Sequence, residues 1–156
     1  MTLYWRSKGK SLLQRMEELY SEYGYFEDRA ISKNFPGASG VQTMANIMSK
    51  LRKEKLTSLA GLKVLKIRDV GESLIYDLLS GKKETCALPK SNVLQFFLEG
   101  GTVVSARPSG TEPKIKFYIN AATKVIDGNL QKAKEDSASL CEKITKEINA
   151  ILEANS

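Results

Sequence analysis

Arg107-Pro108-Ser109-Gly110-Thr111-Glu112-Pro113-Lys114-Ile115-Lys116 sets small, hydroxyl-bearing residues between fixed positive charges. Arg107 can present two parallel donors to an oxyanion, and Lys114 and Lys116 add point charge. Ser109 and Thr111 supply hydroxyl donors. Gly110 is expected to turn the backbone at positive φ and bring it close to a ligand. Pro108 and Pro113 stiffen the ends, which lowers the entropy lost when the loop closes on an anion. Successive amides in such a turn can form an anion-binding nest. Ser-Gly and Thr-Glu-Pro are also ordinary turn vocabulary, so composition alone leaves a plain turn and a phosphate loop both open.

Outward from the loop, the chain reads as sheet. Thr102 to Ala106 forms a strand that delivers Arg107 at its end, and Asn92 to Leu98 precedes it as a very apolar strand suited to a central position. Glu99-Gly100-Gly101-Thr102 joins the two as a hairpin turn. Beyond the loop, Ile115, Phe117 and Ile119 alternate with Lys116, Tyr118 and Asn120 in a further strand. A polar loop on rigid strands is cheap to order around a ligand.

Helical periodicity marks three other segments. From Ser11 to Tyr23, Leu12, Met16, Leu19 and Tyr23 share a face opposite Gln14, Arg15, Glu18 and Glu22, and Gly24 is placed to end the helix. A second helix starts at Ser39, with Gln42 as the partner in a capping box, and lines up Val41, Met44, Ile47, Met48 and Leu51 before ending around Arg52 to Lys55. The last runs from about Leu130 to Leu152 on a stripe of Leu130, Ala133, Leu140, Ile144, Ile148 and Ile151. Between the first two helices, Tyr25 to Phe35 reads as a strand broken at Pro36-Gly37. Leu62 to Val70 reads as another strand, with Leu65 and Ile67 on one side and Lys66 and Arg68 on the other. Residues 71–91 read as irregular, with a short helix at Ser73 to Leu79. This order predicts an α+β domain: a largely antiparallel sheet with helices packed on one face, plus an N-terminal helix.

Composition bounds the function. The chain has 156 residues and a formal net charge of +6, with a sequence pI near 9.3. That balance favours anionic partners such as phosphate esters, nucleic acid or acidic proteins. The lysines are spread rather than clustered, as on a solvated basic surface. There is no histidine, which removes Ser-His-Asp and Cys-His catalysis and histidine-ligated metals. Cys86 and Cys141 stand in no metal-binding spacing and are expected to be reduced. No apolar run approaches a membrane span. The first residues lack the apolar core of a signal peptide, so a cytoplasmic location is expected. No Gly-x-x-x-x-Gly-Lys-Ser/Thr string occurs, which excludes a P-loop nucleotide site.

The order of residues 107–116 resembles the phosphate-contacting signature of the α-D-phosphohexomutases, the phosphoglucomutase and phosphomannomutase family, and Asn92-Val93-Leu94-Gln95-Phe96 is also similar. The resemblance implies a C-terminal, fourth domain with a TATA-binding-protein-like sheet. Its loop holds the phosphate that is not being transferred while a phosphoserine interconverts hexose 1- and 6-phosphates. By position, Arg107, Ser109, Gly110 and Thr111 would contact that phosphate. Lys114 and Lys116 would add charge, and Glu112 would orient the arginine or the loop backbone. Lys8-Gly9-Lys10-Ser11-Leu12-Leu13 and Glu17-Glu18-Leu19-Tyr20 resemble the helix closing the preceding domain. Residues 1–24 would then be a remnant of that domain, its apolar face exposed or docked elsewhere, and 25–156 the phosphate-binding domain.

Gly71-Glu72-Ser73 is similar to the family's sugar-reading Gly-Glu loop, but it follows the wrong strand and lacks the accompanying histidine, so no site is assigned to it. The family's Ser-His loop and Asp-rich magnesium loop have no match here, and Asp127-Gly128-Asn129 does not replace the latter. The chain is therefore expected to have no catalytic or metal-binding residues of its own and no cofactor, and to be inactive alone. Mg2+ is expected for the full-length enzyme. It reads as the terminal part of a mutase, an excised piece or a stand-alone relic. Its partners would be a hexose phosphate, glucose or mannose, and the remaining mutase domains, without membrane or nucleic acid. The alternatives are a basic nucleic-acid-binding module, hinted at only by Tyr118 beside Lys116, and a non-catalytic interaction module using the first helix.

Overall fold

A computed structural model describes residues 2–154. Two helices, α1 (Thr2–Ser7) and α2 (Leu12–Tyr23), precede the strand β1 (Tyr25–Asn34), the helix α3 (Gly40–Glu54) and the short β2 (Ser58–Leu59). Then follow β3 (Leu62–Asp69), β4 (Leu74–Asp77), β5 (Lys83–Thr85), β6 (Leu94–Leu98), β7 (Val103–Pro108), β8 (Lys114–Thr123) and the helix α4 (Leu130–Glu153). The sheet runs β1-β8-β7-β6-β3-β4-β5, with β2 paired to the start of β3. Every pairing is antiparallel.

Alternation along the strands separates the two faces. In β8, Ile115, Phe117, Ile119 and Ala121 are buried, whereas Tyr118 and Asn120 are exposed. In β6, Leu94, Phe96 and Leu98 point the same way as Val104 and Ala106 of β7, and all are buried. The helices α3 and α4 cover this face with Ile47, Met48, Leu51, Ile144, Ile148 and Leu152. Burial of Ile144, Ile148 and Leu152 alone contributes roughly 5–9 kcal/mol before entropy is counted. The other face is polar, so the domain is the expected α+β sheet with helices on one side. Cys86 and Cys141 are buried and not bonded to each other.

Four local expectations are corrected. Residues 73–79 form no helix. Ser73 turns at φ 57°, and Leu74, Ile75 and Tyr76 then pair with Asp69, Arg68 and Ile67 of β3. Short apolar runs have too little periodicity to separate strand from helix, and here the open edge of β3 supplies the partner. In β3 the register shifts between Val64 and Lys66. This bulge puts Val64 rather than Leu65 on the buried face with Ile67. At α3, Ser39 already has helical backbone angles and its hydroxyl makes no cap bond. An N-cap needs extended backbone to aim its oxygen at the first turn, and Gln42 instead donates to Asn46 at 2.8 Å. Val41 lies on the exposed side of that helix. The helix α1 was not expected from the sequence.

Candidate functional site

The loop from Ser109 to Pro113 connects β7 to β8, next to the central strands. Its base is closed by the Ser109 amide, which donates to the Lys114 carbonyl at 2.8 Å, and by the Lys114 amide, which donates to Glu112 at 2.8 Å. The Thr111 amide leans toward the Ser109 hydroxyl at 3.5 Å. A second anchor was not visible in the sequence: the Phe35 amide, just past β1, donates to the Pro113 carbonyl at 2.8 Å. Gly40, at the start of α3, packs there so closely that a Cβ would lie 1.9 Å from the Phe35 carbonyl oxygen and 3.1 Å from Pro113 Cβ. The loop is thus fastened to the sheet and to α3.

Arg107 lies directly across the β7–β8 ladder from Lys116. Opposite residues of an antiparallel pair share a face, and this is the open, polar face. Among the described residues, neither side chain has an ion-pair or hydrogen-bond partner. Two like charges held opposite one another cost stability, and an anion between them removes that cost. Lys114 is committed differently: it is ion-paired with Glu112, and this ammonium, followed by Lys116, holds the Glu112 carboxyl below the usual carboxylate range. Of the two expected roles for Glu112, orienting the arginine or the loop backbone, its carboxylate is engaged with Lys114 of the loop's end, and no hydrogen bond or ion pair joins it to Arg107 among the described residues.

Gly110 does not turn at positive φ. Open space surrounds the place of its Cβ. Closure of the loop by the Ser109–Lys114 bond needs no left-handed residue, so the glycine keeps backbone approachable instead. Its amide has no hydrogen-bond partner among the described residues. Ser109 is half-buried, and Thr111 is exposed. Arg107 and Lys116 therefore share the open face at the end of β7 and β8, and the loop that carries Ser109, Gly110 and Thr111 extends from that end, with Lys114 alongside but occupied.

Elsewhere, a cleft of about 960 Å3 opens between α2 and the start of α4, lined by Lys10, Glu18, Glu22 and Asn129 among others. Its carboxylates oppose an anionic ligand. Among the described residues no three His, Cys, Asp or Glu side chains cluster as a metal site would need, and no helix is long and apolar enough to cross a membrane.

A family model described as phosphoglucomutase/phosphomannomutase, C-terminal domain, matches residues 47–137, which include the loop. The phosphoglucomutase of Staphylococcus saprophyticus is 40% identical over 119 residues, covering 76% of this chain and 21% of that protein. That of Staphylococcus epidermidis is 35% identical over 127 residues, covering 81% and 23%. That of Staphylococcus aureus is 36% identical over 124 residues, covering 80% and 22%. The chain thus spans about a fifth of the length of these curated relatives. Among solved structures, the open form of the exocytosis-sensitive phosphoprotein pp63/parafusin, a phosphoglucomutase from Paramecium, aligns with a TM-score of 0.46 and 15% identity, over 89% of this chain and 23% of that one.

Proposed function

The chain belongs to the phosphoglucomutase/phosphomannomutase family, whose C-terminal domain it matches, and from that premise we propose that it grips the idle phosphate of a hexose phosphate during phosphoryl transfer. Arg107, Ser109, Gly110, Thr111 and Lys116 hold that phosphate, and Lys114 strengthens the local field. The observation that carries this reading is the Arg107–Lys116 side-chain pair next to the loop of the Gly110 amide, none of the three with a hydrogen-bond or ion-pair partner among the described residues. Donors held on a fixed scaffold are worth more to an oxyanion than the same donors tumbling in solvent.

In the proposed whole enzyme, a phosphoserine gives its phosphoryl group to the sugar phosphate, the bisphosphate reorients, and the serine recovers a phosphoryl group from the other end. The serine, the sugar-reading loop and the carboxylates for Mg2+ would come from outside this chain, which would not turn over alone. Residues 1–24 would be the end of the preceding domain, and 25–156 the phosphate-binding domain. That boundary draws support from α2, which buries none of its residues and leaves Leu13 and Tyr23 about two-thirds exposed, at 65% and 66%. The partners would be a hexose phosphate and the other mutase domains, and the site of action the cytoplasm.

The test is an NMR titration of the 156-residue chain with inorganic phosphate and glucose 1-phosphate, with short single-stranded DNA as control. Both phosphates are expected to shift residues 107–116 with a Kd on the order of millimolar, about 4 kcal/mol. Arg107→Ala should weaken binding by at least about tenfold, as expected for a lost charge-assisted hydrogen bond. Saturable shifts with DNA alone, spread over Lys66, Lys116 and Tyr118, would overturn the reading in favour of a nucleic-acid surface.

A further inference from the structure

The open face continues from the cation pair into a second polar row. Tyr118 follows Lys116 on the same face of β8, about 7 Å further along the strand. Its ladder neighbours are Ala30 on β1 and Ser105 on β7, and Ser105 in turn lies opposite Gln95 on β6. Tyr118 is 38% exposed, and Ala30, beside it, is too small to cover it.

The row also has a fixed polarity. Arg68 Nη1 donates to Gln95 Oε1 at 3.1 Å, so the Gln95 amide turns its nitrogen toward Ser105 and donates to Ser105 Oγ at 3.1 Å. Arg68 is itself held, its guanidinium lying 4.9 Å from the centre of the Phe97 ring. Because Ser105 Oγ accepts from Gln95, its own hydrogen remains free to donate. A part-exposed aromatic side chain and a hydroxyl with a free hydrogen therefore sit one residue pair away from the Arg107–Lys116 pair. An apolar platform with a few placed polar groups is the chemistry that recognises a sugar ring.

We infer that Tyr118 and Ser105 form a pyranose subsite, in which the ring of a hexose phosphate whose phosphate rests on Arg107 and Lys116 lies against Tyr118 and receives a hydrogen bond from Ser105. The inference rests on the phosphate-binding reading above. Arg68 and Gln95 are positioning residues, acting through the orientation of the Ser105 hydroxyl. The span from Lys116 to Tyr118 matches a phosphomonoester with its ring attached, and an acyclic ester would reach the phosphate grip without covering the tyrosine.

The experiment compares inorganic phosphate, glycerol 1-phosphate and glucose 1-phosphate on the whole chain by NMR titration. Glucose 1-phosphate is expected to shift Ser105, Gln95 and Tyr118 as well as 107–116, and to bind roughly threefold to tenfold more tightly than glycerol 1-phosphate. Tyr118→Ala should bring the two esters to equal affinity, and Tyr118→Phe, which keeps the ring, should restore the difference and guard against a folding artefact. Equal affinities in the unaltered chain, with no shift at Tyr118 while 107–116 respond, would overturn the subsite and leave the phosphate loop standing. No response to any of the three would overturn both.

Discussion

Asp69 is 1% exposed, and both of its oxygens are engaged. One accepts from Arg52 Nε at 2.8 Å, and the other from the amides of Gly71 and Glu72 at 3.0 and 3.2 Å. Arg52 also donates to Asn92 at 2.6 Å. One carboxylate therefore ties α3 to the β3–β4 turn and, through Arg52, to the approach to β6. Asp69→Ala strands a cation and two amides, and it is expected to cost about 3 kcal/mol in urea unfolding. Gly40 acts on the site. In Gly40→Ala the new Cβ must displace the Phe35 carbonyl, 1.9 Å away, at a cost of about 1–3 kcal/mol. Phe35 holds Pro113, so the amide resonances of 109–114 should move as well. Unmoved loop resonances would show that the loop does not depend on this anchor. The anion-seeking composition of the loop was legible at this scale, because Arg107, Ser109 and Thr111 carry it by type and order. The anchor was not, since Phe35 and Gly40 meet Pro113 only after the chain has turned back on itself.

Among the elements, α2 and α4 make the clearest contrast. The helix α2 has a complete capping box, with the Ser11 hydroxyl accepting from Gln14 and the Gln14 side chain accepting from the Ser11 amide, yet none of its residues is fully buried. The helix α4 buries Ala133, Ser137, Cys141, Ile144, Ile148 and Leu152. Both helices are capped, α4 by the Asn129 side chain accepting from the Lys132 amide at 3.0 Å, but packing adds to α4 what α2 lacks. Ser11→Ala removes about 1 kcal/mol of capping and should speed amide hydrogen exchange along 12–23 while leaving the urea midpoint of the rest unchanged. A lowered midpoint would mean that α2 is coupled to the core after all. The three long helices were visible in the sequence because a 3.6-residue period repeats over several turns in each. The strands β4 and β5 were not, because runs as short as Leu74–Asp77 and Lys83–Thr85 are stabilised by neighbours the sequence does not specify.

Across the whole molecule, none of the described residues up to Gly24 belongs to the hydrophobic core, which is built from residues between Ile31 and Leu152. Trp5, the single tryptophan, lies in α1 with the Arg15 guanidinium 4.9 Å from its ring centre. Its fluorescence therefore reports the N-terminal helices, while far-UV circular dichroism is dominated by the sheet, α3 and α4. The fluorescence transition in urea is expected at lower denaturant than the circular dichroism transition. Coincident curves would show one cooperative unit and remove the argument for a separate N-terminal piece. The sequence by itself determined the helix spans, the alternating central strands and the anion-seeking composition of 107–116, because each depends on residue type and near neighbours. Tertiary structure alone decided the β3 register, the strand identity of 74–85 and the anchoring of the loop. It also decided which cations stand unpartnered and which residues share the open face with them. These depend on pairing between segments far apart in the chain, where a one-residue shift reverses every side chain and no local pattern records the choice.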